Sequence, residues 1–143
     1  MTEHNQGAPD YTHAPEEADA IGALVAFPTC RAEVMGLLVP EAFEDPRHRI
    51  IFRAVQEAGD AGDAVEIKSA LLRRGELNAA GGDAYIAFLV ASAYSAHRAV
   101  AYATAVRAAH QRRQLAQLGA ELTTRAVSEP GDVSAITEQL GGK

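Results

Sequence analysis

Residues 43–55, FEDPRHRIIFRAV, set a cluster of charge directly against apolar sequence. Asp45 followed by Pro46 predicts a helix start. The aspartate oxygen can accept from the first free backbone N–H groups, and proline's fixed φ and missing N–H do no harm at the first helical position. From that start Ile50, Ile51, Ala54, Val55 and Ala58 recur at helical spacing on one face, with Phe52 at its border. Arg47, Arg49 and Arg53 fall mostly away from that face. The stretch is therefore expected to be the charged shoulder of a buried helix. Asp45 and His48 superficially resemble an acid–base pair, but a capping carboxylate is directed at backbone N–H groups rather than at a substrate.

Upstream, Pro15 with Glu16 and Glu17 predicts another helix start, with carboxylates at the positive end of the helix dipole. Ile21, Leu24 and Val25 form its stripe and Pro28 ends it. Thr29 is expected to cap a second short helix that turns Val34, Leu37 and Leu38 inward and closes at Pro40. Downstream, Asp63 and Glu66 have capping-box spacing ahead of Val65, Ile67, Ala70 and Leu71, and Gly75 fits a helix C-cap. Gly81 and Gly82 then lead into DAYIAFLVASA, where Tyr85, Ile86, Phe88, Leu89 and Val90 mark the most apolar helix of the chain. Five short helices separated by Pro or Gly breaks, with no alternating strand pattern, predict an all-α globular head over residues 15–94. Residues 1–14 lack periodicity and are expected to form a disordered tail.

Beyond Ser95, which is expected to cap the next helix, the texture changes. AHRAVAYATAVRAAHQRRQLAQLGAELTTRAV runs without proline, and Tyr102, Val106, Leu115, Leu118 and Leu122 supply an apolar seam interrupted by Arg112 and Arg113. SEPGD then predicts a turn, and Val133, Ile136 and Leu140 in VSAITEQL repeat at three and four. Residues 95–143 thus predict a helical hairpin, which cannot bury two faces alone and needs a partner surface.

The chain's 143 residues suffice for one domain, and its single cysteine, Cys30, excludes an internal disulfide framework. A cytoplasmic location is the expectation, since no apolar run approaches a membrane span and the start MTEHNQGAPD lacks the features of a signal peptide. Net charge is −6, unevenly spread. Residues 1–97 hold 15 acids and 7 bases, residues 98–127 hold five arginines and one glutamate, and residues 128–143 return to −2. An acidic body with one basic segment binds DNA weakly or indirectly at best. The basic helix over 98–125 could still meet nucleic acid or an acidic protein. Its few arginines, without lysine or interleaved aromatics, favour a solvated or protein-contact face.

Catalytic and cofactor chemistry finds little support. His4, His13, His48, His97 and His110 show no HExxH spacing and no CxxC accompanies them, so no metal site is expected. The glycines of GELNAAGGDAY and the terminal GGK lack the order of a phosphate-binding loop. Neither an enzyme nor a cofactor-bound protein is anticipated.

Taken in order, Glu17 with IGAL at 21–24, Leu38 with PEAF at 40–43, His48 with IIFRAV at 50–55, LLRRGEL at 71–77, GGDAY at 81–85, Ser95, Tyr102 with Ala103, Val106, and RRQL at 112–115 make this sequence resemble the N-terminal domain of DnaB-type replicative DNA helicases. Asp45, Pro46, His48, Ile51, Phe52, Gly75, Gly81, Gly82 and Tyr85 serve as its structural signature. Departures are Ala18, Tyr94, Arg98 and a shortened connection at GDAVEIKSAL. The resemblance implies a module without chemistry of its own. Its hairpins would pair between subunits into a ring collar that binds primase and sometimes loader proteins, while the ATPase motor is a separate domain that does not follow here. It also implies partner contacts through Tyr102, Val106, Leu115, Leu118 and Leu122, with Arg112 and Arg113 at the rim. Two alternatives stand beside it: a stand-alone regulator that caps a helicase ring, and a helical nucleic-acid-binding protein. The helicase-binding domain of bacterial primases is similar in fold.

Overall fold

The computed structural model describes residues 15–93 and 95–128. The expected tail at 1–14 and the expected second hairpin arm around Val133, Ile136 and Leu140 lie outside the described residues. Those described are helical, with no strand among them: α1 (Pro15–Ala26), α2 (Arg31–Met35), α3 (Pro46–Ala58), α4 (Ala64–Arg73), α5 (Gly82–Ser92) and α6 (Ala99–Ser128). Short 3-10 turns precede α2, α3 and α6 at Pro28–Cys30, Pro40–Ala42 and Ala96–Arg98. The all-α expectation holds. Packing divides the chain into a unit ending at Arg107 and one beginning at Ala108.

The first unit is built around α1, which lies against α5 and α3, while α4 packs on α3. Ile21, Leu24 and Val25 are fully buried against Ile51, Phe52, Val55, Ile67, Leu71, Ile86 and Leu89. Close approach of α1 and α5 depends on Gly22, since a Cβ there would collide with the backbone carbonyl of Leu89. Phe52, expected at the border of α3, is wholly buried beside Phe43 at 5.1 Å between ring centroids, whereas Ile50 is only half-buried. The 3-10 turn at Pro40–Ala42 accounts for this, because it brings Phe43 over the flank of α3 on which Phe52 lies.

Helix ends follow the local chemistry closely. The Asp45 carboxylate accepts from the Arg47 backbone N–H at 2.9 Å with Pro46 at the first position. Asp63 and Glu66 close a reciprocal capping box, each side chain bonded to the other's backbone N–H. Gly75, at φ +70°, ends α4 with bonds from its own N–H to Leu72 and from the Glu76 N–H to Leu71, the double closure that a left-handed residue permits. Gly81 and Gly82 repeat that pairing onto Asn78 and Leu77, both at positive φ.

Four expectations are corrected. Thr29 sits inside a 3-10 turn instead of capping a helix, and α2 ends at Met35. Leu38 is still buried, but from the loop. Val65 is 68% exposed, because the inward face of α4 is set by Ile67 and Leu71. Ser95 makes no side-chain capping bond, and α6 starts only at Ala99. The break in packing also falls beyond residue 95, since Ala99, Ala103 and Val106 from the first turns of α6 belong to the head's core.

Candidate interaction site

The most ordered polar chemistry lies within the head. Glu17 on α1, 3% exposed, receives the Glu44 and Asp45 backbone N–H groups at 2.6 and 3.1 Å, just ahead of α3. Its Oε1 lies 2.7 Å from Nδ1 of His48, so that ring nitrogen carries the proton and donates to the carboxylate. Nε2 of His48 lies 2.6 Å from the Tyr85 hydroxyl, which in the neutral ring donates to it. Arg47 closes the cluster from outside. Its guanidinium stands 4.0 Å from the centre of the Tyr85 ring and grips Asp45 through Nε at 3.0 and 3.1 Å. Burial alone would raise the Asp45 carboxyl, but its bonds from Arg47 and the nearby His48 hold it below the ordinary aspartate value.

Glu17, His48 and Tyr85 could be mistaken for a catalytic triad. His48 and Tyr85 are each 1% exposed, both ring nitrogens of His48 are occupied, and the Glu17 carboxylate is held by three donors. The cluster therefore ties α1, α3 and α5 together and offers no substrate a place to react.

Arg31 does similar work nearby. At 1% exposure it donates through Nε to the Leu24 carbonyl at 2.7 Å and through its terminal nitrogens to Val25, Gly59 and Gly62 at 3.3, 2.7 and 2.5 Å. Two of those carbonyls end α1, where the helix dipole is negative, and two belong to the loop between α3 and α4. Burial pushes the guanidinium pKa down from its usual value. Neither the role of Glu17 nor that of Arg31 follows from local sequence. The carboxylate looks like a helix-dipole residue and the arginine like a surface one. The resemblance residues Glu17, His48 and Tyr85 were the only signal that could have joined the cluster.

Further openings are shallow. A cleft of about 300 Å³ has Ala58, Ala61, Gly62 and Ala70 as its floor and Glu57, Glu66 and Arg73 at its walls. Among the described residues, no group of three or more His, Cys, Asp or Glu could hold a metal ion, and no helix is long and apolar enough to cross a membrane.

The residues expected to meet a partner divide into two sets. Val106 is 4% exposed within the head's own core and Tyr102 packs half-buried against that core, so neither is a free contact as expected. The physical reason is helical phase: nine residues separate Val106 from Leu115, about two and a half turns, which puts them on opposite sides of one helix. The expected single seam is therefore two stripes. The second remains open, with Leu115, Leu118 and Leu122 exposed at 71%, 43% and 38% and spaced at three and four along α6. Arg112 is exposed on the flank of this stripe, whereas Arg113, seven residues from Val106 and nine from Leu122, lies half-buried on the opposite side and is not the rim residue expected.

Comparison with known proteins identifies the family of the head. The model of the DnaB-like helicase N terminal domain matches residues 11–108. The replicative DNA helicase DnaB of Rhodothermus marinus is 29% identical over 127 residues, covering 87% of this chain and 13% of the helicase. That of Leifsonia xyli subsp. xyli is 27% identical over 120 residues, covering 82% of this chain and 26% of the helicase. The chain thus spans only a small part of these relatives. The crystal structure of the N-terminal domain of DnaB helicase from Mycobacterium tuberculosis superposes with a TM-score of 0.79 at 26% identity, over 88% of this chain and 91% of that one. A helical head held by Glu17, His48 and Tyr85, joined through Ala99, Ala103 and Val106 to the start of a long helix, is thereby placed: this chain belongs to the DnaB-like helicase N-terminal domain family.

Proposed function

We propose that the chain is a non-catalytic protein-interaction and oligomerisation module of the DNA replication machinery. It pairs with further copies through the distal part of α6 and contributes to a ring collar that receives primase. The observation that carries this reading is the open stripe of Leu115, Leu118 and Leu122, three large apolar side chains in a row on a helix that has no shortage of polar residues. Spacing at three and four is what a partner helix fills by knobs-into-holes packing, and water is its poorest neighbour. Arg112 at the rim suits charge-assisted contact with an acidic partner surface. The family supplies the setting, since the matched relatives are replicative helicases.

The test is complex formation with the cognate primase and full-length helicase, read by co-elution. A complex is expected with the unaltered chain, is lost on Leu118→Glu with Leu122→Glu, and is weakened by Arg112→Glu. Failure to bind either protein, or binding indifferent to the leucine changes, refutes the proposal.

A further inference from the structure

A second exposed apolar pair lies on the head itself and shares no residue with the α6 stripe. Val65 and Leu72 on α4 are 68% and 66% exposed. Seven residues separate them, about two turns, so they share one face of α4 while Ile67 and Leu71 fill the core from the opposite side. Ser69 stands between them and is small and exposed. Glu66 and Arg73, also seven apart, flank the same edge of this face with opposite charge.

This pattern is complementary to itself. When two copies of α4 meet antiparallel about a two-fold axis through Ser69, Val65 of each lies beside Leu72 of the other. Glu66 of each lies beside Arg73 of the other, twice over by symmetry. Ser69 meets Ser69 at the axis, where a small side chain lets the helices approach. Lys68 near the centre of the other edge would meet its own copy, but its charge is already matched by Asp83 at 2.5 Å. The Arg73 side chain makes no hydrogen bond or ion pair among the described residues. The Glu66 carboxylate uses Oε1 for its cap and keeps Oε2 for a partner.

We propose that the exposed face of α4 is a homotypic interface, occupied by α4 of a second copy of this chain. Two helical turns bury much less than the roughly 1,200 Å² of a stable complex, so the contact is weak alone and gains from any other that holds the copies together. It rests on none of the α6 residues and stands or falls separately from the collar proposal.

The experiment uses the full chain with Ser69→Cys, oxidised under native conditions; Cys30 is buried and does not compete. A disulfide-linked dimer is expected. It should persist when Leu118→Glu and Leu122→Glu are added, and disappear when Val65→Asp is added. In parallel, sedimentation of chains that keep Ser69 reads the charge pattern. Arg73→Glu should weaken association about tenfold, and Glu66→Arg in the Arg73→Glu background should restore it. No cross-linking, cross-linking that needs the α6 leucines, or a double exchange no better than Arg73→Glu alone overturns the proposal.

Discussion

The head and the distal half of α6 solve opposite problems with the same kind of helix. In the head, even the polar side chains that lie inside are answered: Glu17, His48 and Arg31 are 3%, 1% and 1% exposed and each makes at least two hydrogen bonds. Beyond Arg107 no described residue of α6 is buried, and its leucines face outward. A region that satisfies its own groups is specified by its own residues. A region that leaves apolar groups open is not specified in that way, and on the function proposed above what covers it is a partner.

That comparison can be broken first at the buried pair. His48→Ala leaves the Glu17 carboxylate inside without its partner and should cost about 3–5 kcal/mol, measured by urea unfolding. Replacing Glu17 and His48 together by Leu should cost clearly less than the sum of the two single changes, since no orphaned charge remains. Next comes Arg31→Met, which keeps the stem but strips four carbonyls of their donor; a loss of about 2–3 kcal/mol is expected in the same measurement. Arg31→Lys should recover only part of it, because one ammonium cannot reach both the end of α1 and the loop after α3.

Smaller effects sharpen the boundary. Asp45→Ala should cost about 1 kcal/mol as a lost cap. The Asp45 carboxyl is held below its ordinary value of 3.8 in the folded chain, so on acidification the unfolded chain takes up this proton first. Its contribution is present above about pH 4 and is lost as pH falls through the folded value. Thermal melts of the unaltered chain below pH 4 should fall more steeply than those of Asp45→Asn, which keeps a cap but cannot ionise. The smallest effect belongs to α6: Leu118→Glu with Leu122→Glu should leave unfolding free energy within about 0.5 kcal/mol, as exposed positions do.

The same contrast explains what could be read in advance. Caps at Asp45 and Asp63 and the C-cap at Gly75 depend on neighbours within a few residues, and these were legible with their helices. The apolar face of α3 was legible too, apart from Phe52, whose burial is decided by Phe43 across a loop. The Glu17–His48 pair spans 31 residues and the Arg31–Gly62 bond spans the same distance, so neither leaves a local mark. In α6 the misreading was one of phase. Tyr102, Val106, Leu115, Leu118 and Leu122 look like one series along the chain, but the first two serve the core and the last three do not. Val65 shows the same lesson on α4, where an apolar residue expected in the inward stripe lies outside the core.

The most direct test is sedimentation of the full chain across a wide concentration range, alongside Leu118→Glu with Leu122→Glu. Self-association that rises with concentration and is strongly reduced by the two leucine changes, with melting unchanged at dilutions where both chains are monomeric, is the predicted result. A chain that stays monomeric throughout, or that associates equally well without those leucines, would contradict the assignment of α6 as an assembly surface.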